Sequence, residues 1–217
     1  HVLQQVKSLF GANKAGHTGS LDPLASGLLP ICLGQATKVA QFLLDADKRY
    51  FVRAKLGQVS STGDSEGKIV NFGSTKGIDE SSIKAILLKF IGGINQVPPM
   101  YSALKRNGTP LYKLARKGIE IERSSRPVTI HEINFLDLEE AVLSLEVFCS
   151  KGTYIRTLVE DIGKSLGCGG HVVELRRTGF AHLDLSVSKT YEQLSKLKAQ
   201  NLESLDSVIL SADEMLP

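Results

Sequence analysis

One loop of the sequence, residues 16–27, holds a carboxylate and an imidazole among three glycines, a proline and small polar residues. Asp22 precedes Pro23, which disfavours helical dihedrals at the aspartate and fixes the turn that follows. Glycines permit backbone shapes that other residues forbid, so the loop can hold Asp22 rigidly at a surface cleft. A carboxylate held in this way can act as a nucleophile or stabilise developing positive charge. An ordinary Asp-Pro turn with His17 nearby explains the same residues, and physical chemistry alone does not separate the two interpretations.

Several other chemistries are disfavoured by the residue types and their spacing. The chain contains no G-x-x-x-x-G-K-[ST] loop for nucleotide phosphates. Residues 62–67 resemble the first half of a calcium-binding loop, which would extend to residue 73. Thr62 and Gly73 would occupy its first and last positions, where calcium ligands are required, so we predict a simple turn. The three cysteines, Cys32, Cys149 and Cys168, lie far apart and do not have the spacing of zinc ligands. They therefore indicate neither a disulfide framework nor a metal site, and they fit a reducing, cytoplasmic setting. No apolar run reaches the ~18 residues of a membrane span.

Basic residues are concentrated in residues 98–127, a segment bracketed by prolines that we call the basic arm. It carries seven basic and two acidic side chains, a net charge of +5, whereas the whole chain is +3 and the remainder therefore −2. A basic segment on a near-neutral body favours a polyanionic partner over a small acidic substrate. Within it, Thr109 and Pro110 can begin a short helix with Lys113, Arg116 and Lys117 on one face. On charge alone, a solvated basic surface is the simpler explanation.

Apolar periodicity predicts the helices and strands that must position these residues. Apolar residues recur at helical spacing in residues 2–10, 36–44, 83–91 and 155–166, with Asp79 near the start of the third helix and Gly167 after the fourth. Alternation predicts a strand over residues 50–56, an antiparallel hairpin from residues 128–135 and 142–149, and a short strand over residues 172–175. Hairpins combined with unevenly spaced helices favour an α+β fold over a doubly wound parallel sheet.

Four blocks of sequence, in order, resemble motifs of the TruB family of tRNA pseudouridine synthases in its bacterial form. They are residues 15–38, which include the Asp22 loop, residues 47–50 (Asp-Lys-Arg-Tyr), residues 150–157 (Ser-Lys-Gly-Thr-Tyr-Ile-Arg-Thr) and residues 170–177, which end in Leu-Arg-Arg. The similarity covers nearly the whole chain, and four ordered blocks are far more specific than one short motif. The resemblance implies an α+β pseudouridine synthase fold: a mixed, largely antiparallel sheet with flanking helices and an RNA cleft.

The domain organisation follows from the same resemblance. Residues 1–217 would form the catalytic domain, with the basic arm inserted into it as an RNA-binding segment. The family's N-terminal strand and Lys-Pro motif do not precede the first helix, and its C-terminal region is short or missing. We therefore expect a domain that is incomplete at its N-terminus and at its C-terminus.

The implied reaction is the isomerisation of uridine to pseudouridine at position 55, in the T loop of tRNA. The uracil is detached from its sugar and rejoined through carbon, and a base buried in a folded loop must first be flipped into a pocket. The resemblance implies no metal and no organic cofactor. It also implies the tRNA T arm as the partner, no membrane, no obligate protein partner, and a monomeric cytoplasmic enzyme.

The resemblance assigns catalytic roles to Asp22, Tyr50 and Arg156. Asp22 would be the essential carboxylate, and attack on the sugar, attack on the base and assisted elimination of uracil all remain open. Arg156 would pair with Asp22 through its planar fork, although its position beside an apolar helical stripe also allows a surface pair with Glu160. Tyr50 would stack on the flipped base and act as a general base, although alternation alone predicts a core tyrosine.

Further residues would bind the substrate. His17 resembles the family histidine that packs into the tRNA loop and helps to keep the target base out of it. The resemblance places Lys38, Tyr154 and Leu175 in or beside the same pocket. Basic side chains of the arm would contact RNA phosphates, which position a substrate without reading its sequence: Lys105, Arg106, Lys113, Arg116, Lys117 and Arg126.

Two other functions are compatible with parts of the same sequence. One is an RNA-binding or tRNA-folding module whose chemistry is dispensable. The intact set of Asp22, Tyr50 and Arg156 argues against a loss of catalysis, and it is compatible with a tRNA-folding role alongside catalysis. The other is a guide-RNA-dependent relative that shares the aspartate loop and the block at residues 150–157. The bacterial form of the loop and the basic arm favour the stand-alone enzyme.

Overall fold

The computed structural model of the chain describes residues 1–38 and 40–215 and divides it into two units. The first unit comprises His1–Lys48 and Arg177–Pro217, and the second comprises Arg49–Arg176. Val39, one position of the helix predicted over residues 36–44, lies outside the described residues. Within the described ranges, no helix has the length and apolar character needed to cross a membrane.

The regular elements are short in the first unit and longer in the second. The strands are β1 (Ala15–His17), β2 (Ser26–Gly27), β3 (Ile31–Leu33), β4 (Lys48–Leu56), β5 (Gln58–Ser60), β6 (Ile69–Asn71), β7 (Gly92–Gln96), β8 (Lys105–Arg106), β9 (Thr109–Pro110), β10 (Arg126–Glu139), β11 (Val142–Cys149), β12 (Gly170–Phe180) and β13 (Leu183–Asp184). The helices are α1 (Val2–Leu9), α2 (Ala40–Leu43), α3 (Glu80–Leu87), α4 (Leu111–Ala115), α5 (Ile155–Ser165), α6 (Tyr191–Gln200), α7 (Leu202–Asp206) and α8 (Ala212–Met215).

The first unit places short strands on either side of the loop that contains Asp22. β1 pairs antiparallel with β3, and β2 pairs with β12. Apolar side chains that follow the loop in sequence form one buried cluster: Leu28, Cys32, Leu43 and Phe180. The predicted helix over residues 36–44 is instead a 3₁₀ turn, Gly34–Lys38, followed by the single-turn α2. Thr37 stabilises that turn by donating its hydroxyl to the carbonyl of Gly34 at 2.8 Å.

The second unit is built on a sheet in which β7, β10, β11, β4 and β12 are neighbours in that order. Burial alternates along β11, as expected for a strand with one covered face. Every strand pair whose register is described is antiparallel, and one isolated parallel bridge joins Asp64 to Val172. The α+β prediction with a mixed, largely antiparallel sheet is confirmed.

The predicted hairpin is present, but its first strand is longer than the sequence indicated. β10 continues through the acidic stretch to Glu139, which lies opposite Val142 of β11. Only Glu140 and Ala141 form the connection, with φ of 46° and 63°. Two residues with positive φ match the right-handed twist of the strands, so pairing extends to the tip. Neither residue type favours that conformation, which explains why the sequence indicated a longer loop.

Helices cover this sheet as their apolar periodicity requires. The predicted start of α3 is confirmed, because Asp79 caps it by accepting a hydrogen bond from the Ser82 backbone N–H at 2.8 Å. α5 buries Ile155, Leu158 and Ile162 and ends before residue 167, as predicted.

The basic arm leaves the sheet at the end of β7 and returns at the start of β10. These two ends are paired, since Gln96 lies opposite Arg126. The arm contains the β8–β9 hairpin, whose turn residues Asn107 and Gly108 have positive φ, followed by α4. A short helix does follow Thr109 and Pro110, with Pro110 as its N-cap. It ends at Ala115, so Arg116 and Lys117, which were predicted to share a helical face with Lys113, lie beyond it.

Candidate active site

The aspartate loop adopts the turn that Pro23 predicts. The carbonyl of Asp22 accepts a hydrogen bond from the backbone N–H of Ala25 at 2.9 Å, which closes a four-residue turn with the proline at its second position. Asp22 is half-buried, and Pro23 is exposed. The start of the loop is fixed as well, because the backbone N–H of Thr18 donates to the carbonyl of Pro30 at 3.3 Å. A half-buried carboxylate on a fixed turn is available to a substrate and limited in its motion.

Arg156 lies in the first turn of α5 and is only 3% exposed. Its guanidinium donates to the carbonyl of Thr62 and to the carbonyl of Tyr101, both at 2.8 Å. Its Nη1 also lies 3.6 Å from Oδ2 of Asp64. A surface pair with Glu160, which the position of Arg156 beside the apolar stripe also allowed, is excluded by this burial. The turn at residues 62–67 covers the guanidinium and removes it from solvent.

The sequence did not indicate a role for Asp64, the carboxylate that faces Arg156. Its side chain is 4% exposed, and its Oδ1 accepts hydrogen bonds from the hydroxyl of Thr62 and from the backbone N–H of Glu66. The prediction of a turn was correct. However, a polar, glycine-containing turn is normally solvated, and its composition did not indicate a buried carboxylate facing an arginine. The spacing of Thr62 and Asp64 is the one local signal, since a hydroxyl two residues before an aspartate can anchor it.

Burial also shifts the pKa of titratable groups around α5. Burial raises the pKa of the Glu160 carboxyl, and the nearby negative charge of Asp161 raises it further, while Arg156 opposes the shift. His171, which is 1% exposed, has its pKa lowered mainly by burial. Its imidazole is therefore held in the neutral form near pH 7.

The N-terminus of α5 is fixed by Gln96, a second residue that the sequence did not indicate. Gln96 is 2% exposed and lies at the end of β7. Its Nε2 donates to the carbonyl of Tyr154 at 3.3 Å, and its Oε1 accepts from the backbone N–H of Tyr154 at 3.0 Å. Tyr154 is the N-cap of α5 and makes no side-chain capping bond. One glutamine therefore orients the helix start from which Arg156 projects.

Tyr50 lies near the start of β4 on the face predicted for it. Val52, Ala54 and Leu56, at the same parity along the strand, are buried, whereas Tyr50 is half-buried. A fully buried core tyrosine is therefore excluded. A partly exposed ring at the end of an apolar face fits contact with a base, and that role stays a prediction.

The remaining predicted substrate-binding residues differ in exposure. In the first unit, His17 and Lys38 are exposed. In the second, Tyr154 is half-buried and Leu175 is buried at 5% exposure. Asp22 belongs to the first unit and Tyr50 and Arg156 to the second, so the pairing of Asp22 with Arg156 stays a prediction.

The basic arm presents its cations to solvent, with one exception. Arg123 is half-buried and donates to the carbonyl of Pro98 at 3.2 Å, which ties the two ends of the arm together. It also bonds Glu120 at 3.1 Å. The side chains predicted to contact phosphates are all exposed: Lys105, Arg106, Lys113, Arg116, Lys117 and Arg126. In the part of the chain that the structure describes, no cluster of three or more side chains could hold a metal ion.

Two family models match this chain, and together they cover residues 7–217. The model of the TruB family pseudouridylate synthase N-terminal domain matches residues 7–155, and that of the tRNA pseudouridylate synthase B C-terminal domain matches residues 156–217. The tRNA pseudouridine synthase B of Nitrosococcus oceani is 53% identical over 215 residues, which are 99% of this chain and 70% of that protein. The enzyme of the same name from Haemophilus influenzae strain Rd is 54% identical over 213 residues, covering 98% and 68%.

Solved structures share the fold. One is a Cbf5-Nop10-Gar1 complex, in which the matched chain is 29% identical with a TM-score of 0.75. Another is an H/ACA RNP bound to a substrate RNA containing 2'-deoxyuridine, at 26% identity and a TM-score of 0.73. Both matches cover 99% of this chain, which spans 56% and 55% of the matched chains.

Proposed function

Because this chain belongs to the TruB family of pseudouridylate synthases, a family of RNA-modifying isomerases, we propose that it converts uridine to pseudouridine at position 55 of tRNA. The identity to proteins named tRNA pseudouridine synthase B, above 50% over almost the whole chain, carries the proposal. An exposed basic arm attached to the sheet by paired strand ends supports an RNA substrate. We further propose that residues 1–217 act as one catalytic domain with the arm at residues 98–127 as its RNA-gripping insertion.

The reaction is balanced within a single nucleotide. The bond between N1 of uracil and C1′ of ribose breaks, the detached base turns, and C5 bonds to C1′. The proton at C5 is lost to solvent, and N1 takes up a proton, so no oxidant and no transferred group are required. The target uridine must leave the stacked T loop before this can occur.

Asp22 supplies the carboxylate on which bond cleavage depends. Its fixed turn supports this role, because a nucleophile or a charge-stabilising group must be held close to the reacting carbon. Attack on C1′, attack on the base and assisted elimination all require that carboxylate to be ionised. An arginine beside Asp22 would favour the ionised form, and we assign this task to Arg156.

The burial of Arg156 supports its assignment. A guanidinium withdrawn from water is costly unless its donors are bonded and its charge is matched. The carbonyls of Thr62 and Tyr101 and the carboxylate of Asp64 provide these partners within the second unit. Held from several sides, the guanidinium can present a fixed positive charge to a carboxylate.

The other contacts bind and orient the RNA. Tyr50 stacks on the flipped base, a contact that could contribute ~1–3 kcal/mol by analogy with other base–aromatic pairs, and its hydroxyl acts as a general base. His17 fills the space that the flipped base leaves, and Lys38, Tyr154 and Leu175 complete the pocket. The exposed cations of the arm contact phosphates. No guide RNA or protein subunit takes part, because the arm already supplies an electrostatic grip on the T arm.

Tritium release from C5 of the target uridine tests the proposal. Purified chain alone is expected to release tritium from a T-arm minihelix with uridine at position 55, and not when cytidine occupies that position. Asp22→Asn should abolish release while RNA affinity is retained. Asp206→Asn, at an exposed aspartate of the first unit, is the matched control and should be fully active. Unchanged tritium release from Asp22→Asn would overturn the assignment of Asp22, and activity only after adding a guide RNA would overturn the stand-alone enzyme.

A further inference from the structure

Arg177 is a buried cation of the first unit that the proposed mechanism does not use. It is 1% exposed, and its Nε donates to the carbonyl of Leu28 at 2.7 Å. The guanidinium carbon also lies 5.8 Å from the ring centroid of Phe180. Nη2 has no hydrogen-bond partner among the described residues, so part of the cost of burying the charge is not offset. A buried charge that is incompletely compensated contributes little net stability, so a contribution to folding does not account for Arg177.

Arg177 is bonded to one end of the segment that carries Asp22 and lies close to the other end. At the far end, the backbone N–H of Leu28 donates to the carbonyl of Arg177 at 2.8 Å, in addition to the side-chain bond. Gly27 approaches the backbone of Arg177 so closely that a Cβ on it would collide with that carbonyl. At the near end, Nη1 of Arg177 lies 3.8 Å from the position that a Cβ on Gly19 would take.

One guanidinium therefore bonds Leu28 and lies beside Gly19. Gly19 has a φ of 102°, a conformation that residues with a side chain rarely adopt. Because glycine permits many other conformations as well, contacts with neighbouring groups must hold the loop in this one. The Asp22 turn begins three residues later. A planar guanidinium that bonds one end and packs beside the other can hold the two ends at a fixed separation, because it is a rigid group whose shape lysine cannot reproduce.

We propose that Arg177 is a positioning residue that holds the loop so that the Asp22 carboxylate is aimed at the reacting carbon. The inference rests on the proposed function, in which Asp22 is the essential carboxylate. Arg177 acts through the loop backbone and touches neither RNA nor the reacting atoms. Its loss should therefore slow the chemical step while leaving RNA affinity nearly intact.

The test compares Arg177→Met with Arg176→Met, which removes the same charge from the exposed neighbouring side chain. Displacing a catalytic group by about 1 Å can cost about 10²-fold in rate, and we expect a loss of that order in the single-turnover rate of Arg177→Met. The dissociation constant for a T-arm minihelix should change by less than about threefold, and Arg176→Met should retain the wild-type single-turnover rate. Arg177→Lys should be intermediate, because it restores the charge without the planar fork.

Parallel assays separate this inference from the proposed function. Wild-type chain and Asp22→Asn are measured in the same series, so an inactive wild-type chain would refute the function itself. If the wild-type chain is active and Arg177→Met reacts at the wild-type rate, only the positioning role fails. A rate loss that matches the unfolded fraction, measured by thermal denaturation at the assay temperature, would also overturn it. If Arg177→Met does not fold, Arg177→Lys decides: wild-type single-turnover rate refutes the role, and a slower rate at unchanged RNA affinity supports it.

Discussion

The clamp between Gln96 and Tyr154 gives a prediction whose size can be worked out from the structure. Gln96→Leu preserves much of the side-chain volume but removes both hydrogen bonds, at 3.0 and 3.3 Å, from a site that is 2% exposed. A typical intramolecular hydrogen bond contributes about 0.5–1.5 kcal/mol net, so losing two should lower the free energy of unfolding by about 1–3 kcal/mol. For a chain of this size, each kcal/mol corresponds to a fall in melting temperature of about 2–4 °C.

The effect on catalysis should exceed the effect on folding. Arg156 follows Tyr154 by two residues, so release of the helix start moves the guanidinium directly. Well below the melting temperature, we expect the single-turnover rate of Gln96→Leu to fall about 10–100-fold, as for other small displacements of catalytic groups. Affinity for the T-arm minihelix should stay within about threefold, because the exposed cations of the arm are unchanged. Asn95→Leu, at the exposed neighbouring position of the same strand, is the control and should retain the wild-type rate.

Gln96→Glu adds a readout that loss of stability alone would not give. A carboxylate can still accept from the Tyr154 N–H, but it cannot donate to the Tyr154 carbonyl. Burial raises the pKa of a carboxyl group, and protonation restores the missing donor. The rate of this variant relative to wild type should therefore recover as the pH is lowered. Two results would refute the reasoning: a wild-type rate for Gln96→Leu below its melting temperature, or a rate loss explained by weaker RNA binding.

Three further predictions follow from the second unit. Asp64→Asn keeps an oxygen that accepts from the backbone N–H of Glu66 but removes the negative charge beside Arg156. We expect the free energy of unfolding to fall by about 1–3 kcal/mol and the single-turnover rate to fall as well. An unchanged free energy of unfolding in chemical denaturation would contradict this. His171 has a pKa lowered in the folded chain, so its contribution to stability is complete above the unfolded pKa of about 6.5 and is lost as the pH falls below it. In urea titrations between pH 7 and 5, His171→Asn should show a flatter pH dependence than the wild-type chain, and parallel curves would refute the assignment. If Lys113 contacts a phosphate, Lys113→Ala should reduce the slope of log RNA affinity against log salt concentration by up to about 0.9. Lys76 is exposed outside the arm, so Lys76→Ala is the control and should leave that slope unchanged.

Local chemistry explains which features could be predicted from the sequence. Pro23 determines the turn at Asp22 through its own ring, and the capping box of α3 involves residues three apart. The burial of Arg156 could not be predicted in the same way. The carbonyls that it binds lie 94 and 55 residues away in sequence, and side-chain periodicity contains no information about such contacts. The role of Gln96 could not be predicted for the same reason, since its partner Tyr154 is 58 residues away.

The ties at the start of α5 connect the basic arm to Arg156 within the second unit, and so connect the residues proposed to bind RNA with one proposed to act in catalysis. An isolated helix of 11 residues is marginal in water, so tertiary contacts must set its direction. Gln96 fixes its N-cap, the turn at Asp64 fixes the guanidinium of Arg156, and the carbonyl of Tyr101 accepts from that guanidinium. Tyr101 belongs to the basic arm, near the end that Arg123 ties to Pro98. Substitutions at this end of the arm should therefore change the single-turnover rate, whereas substitutions among its exposed cations should change RNA affinity alone.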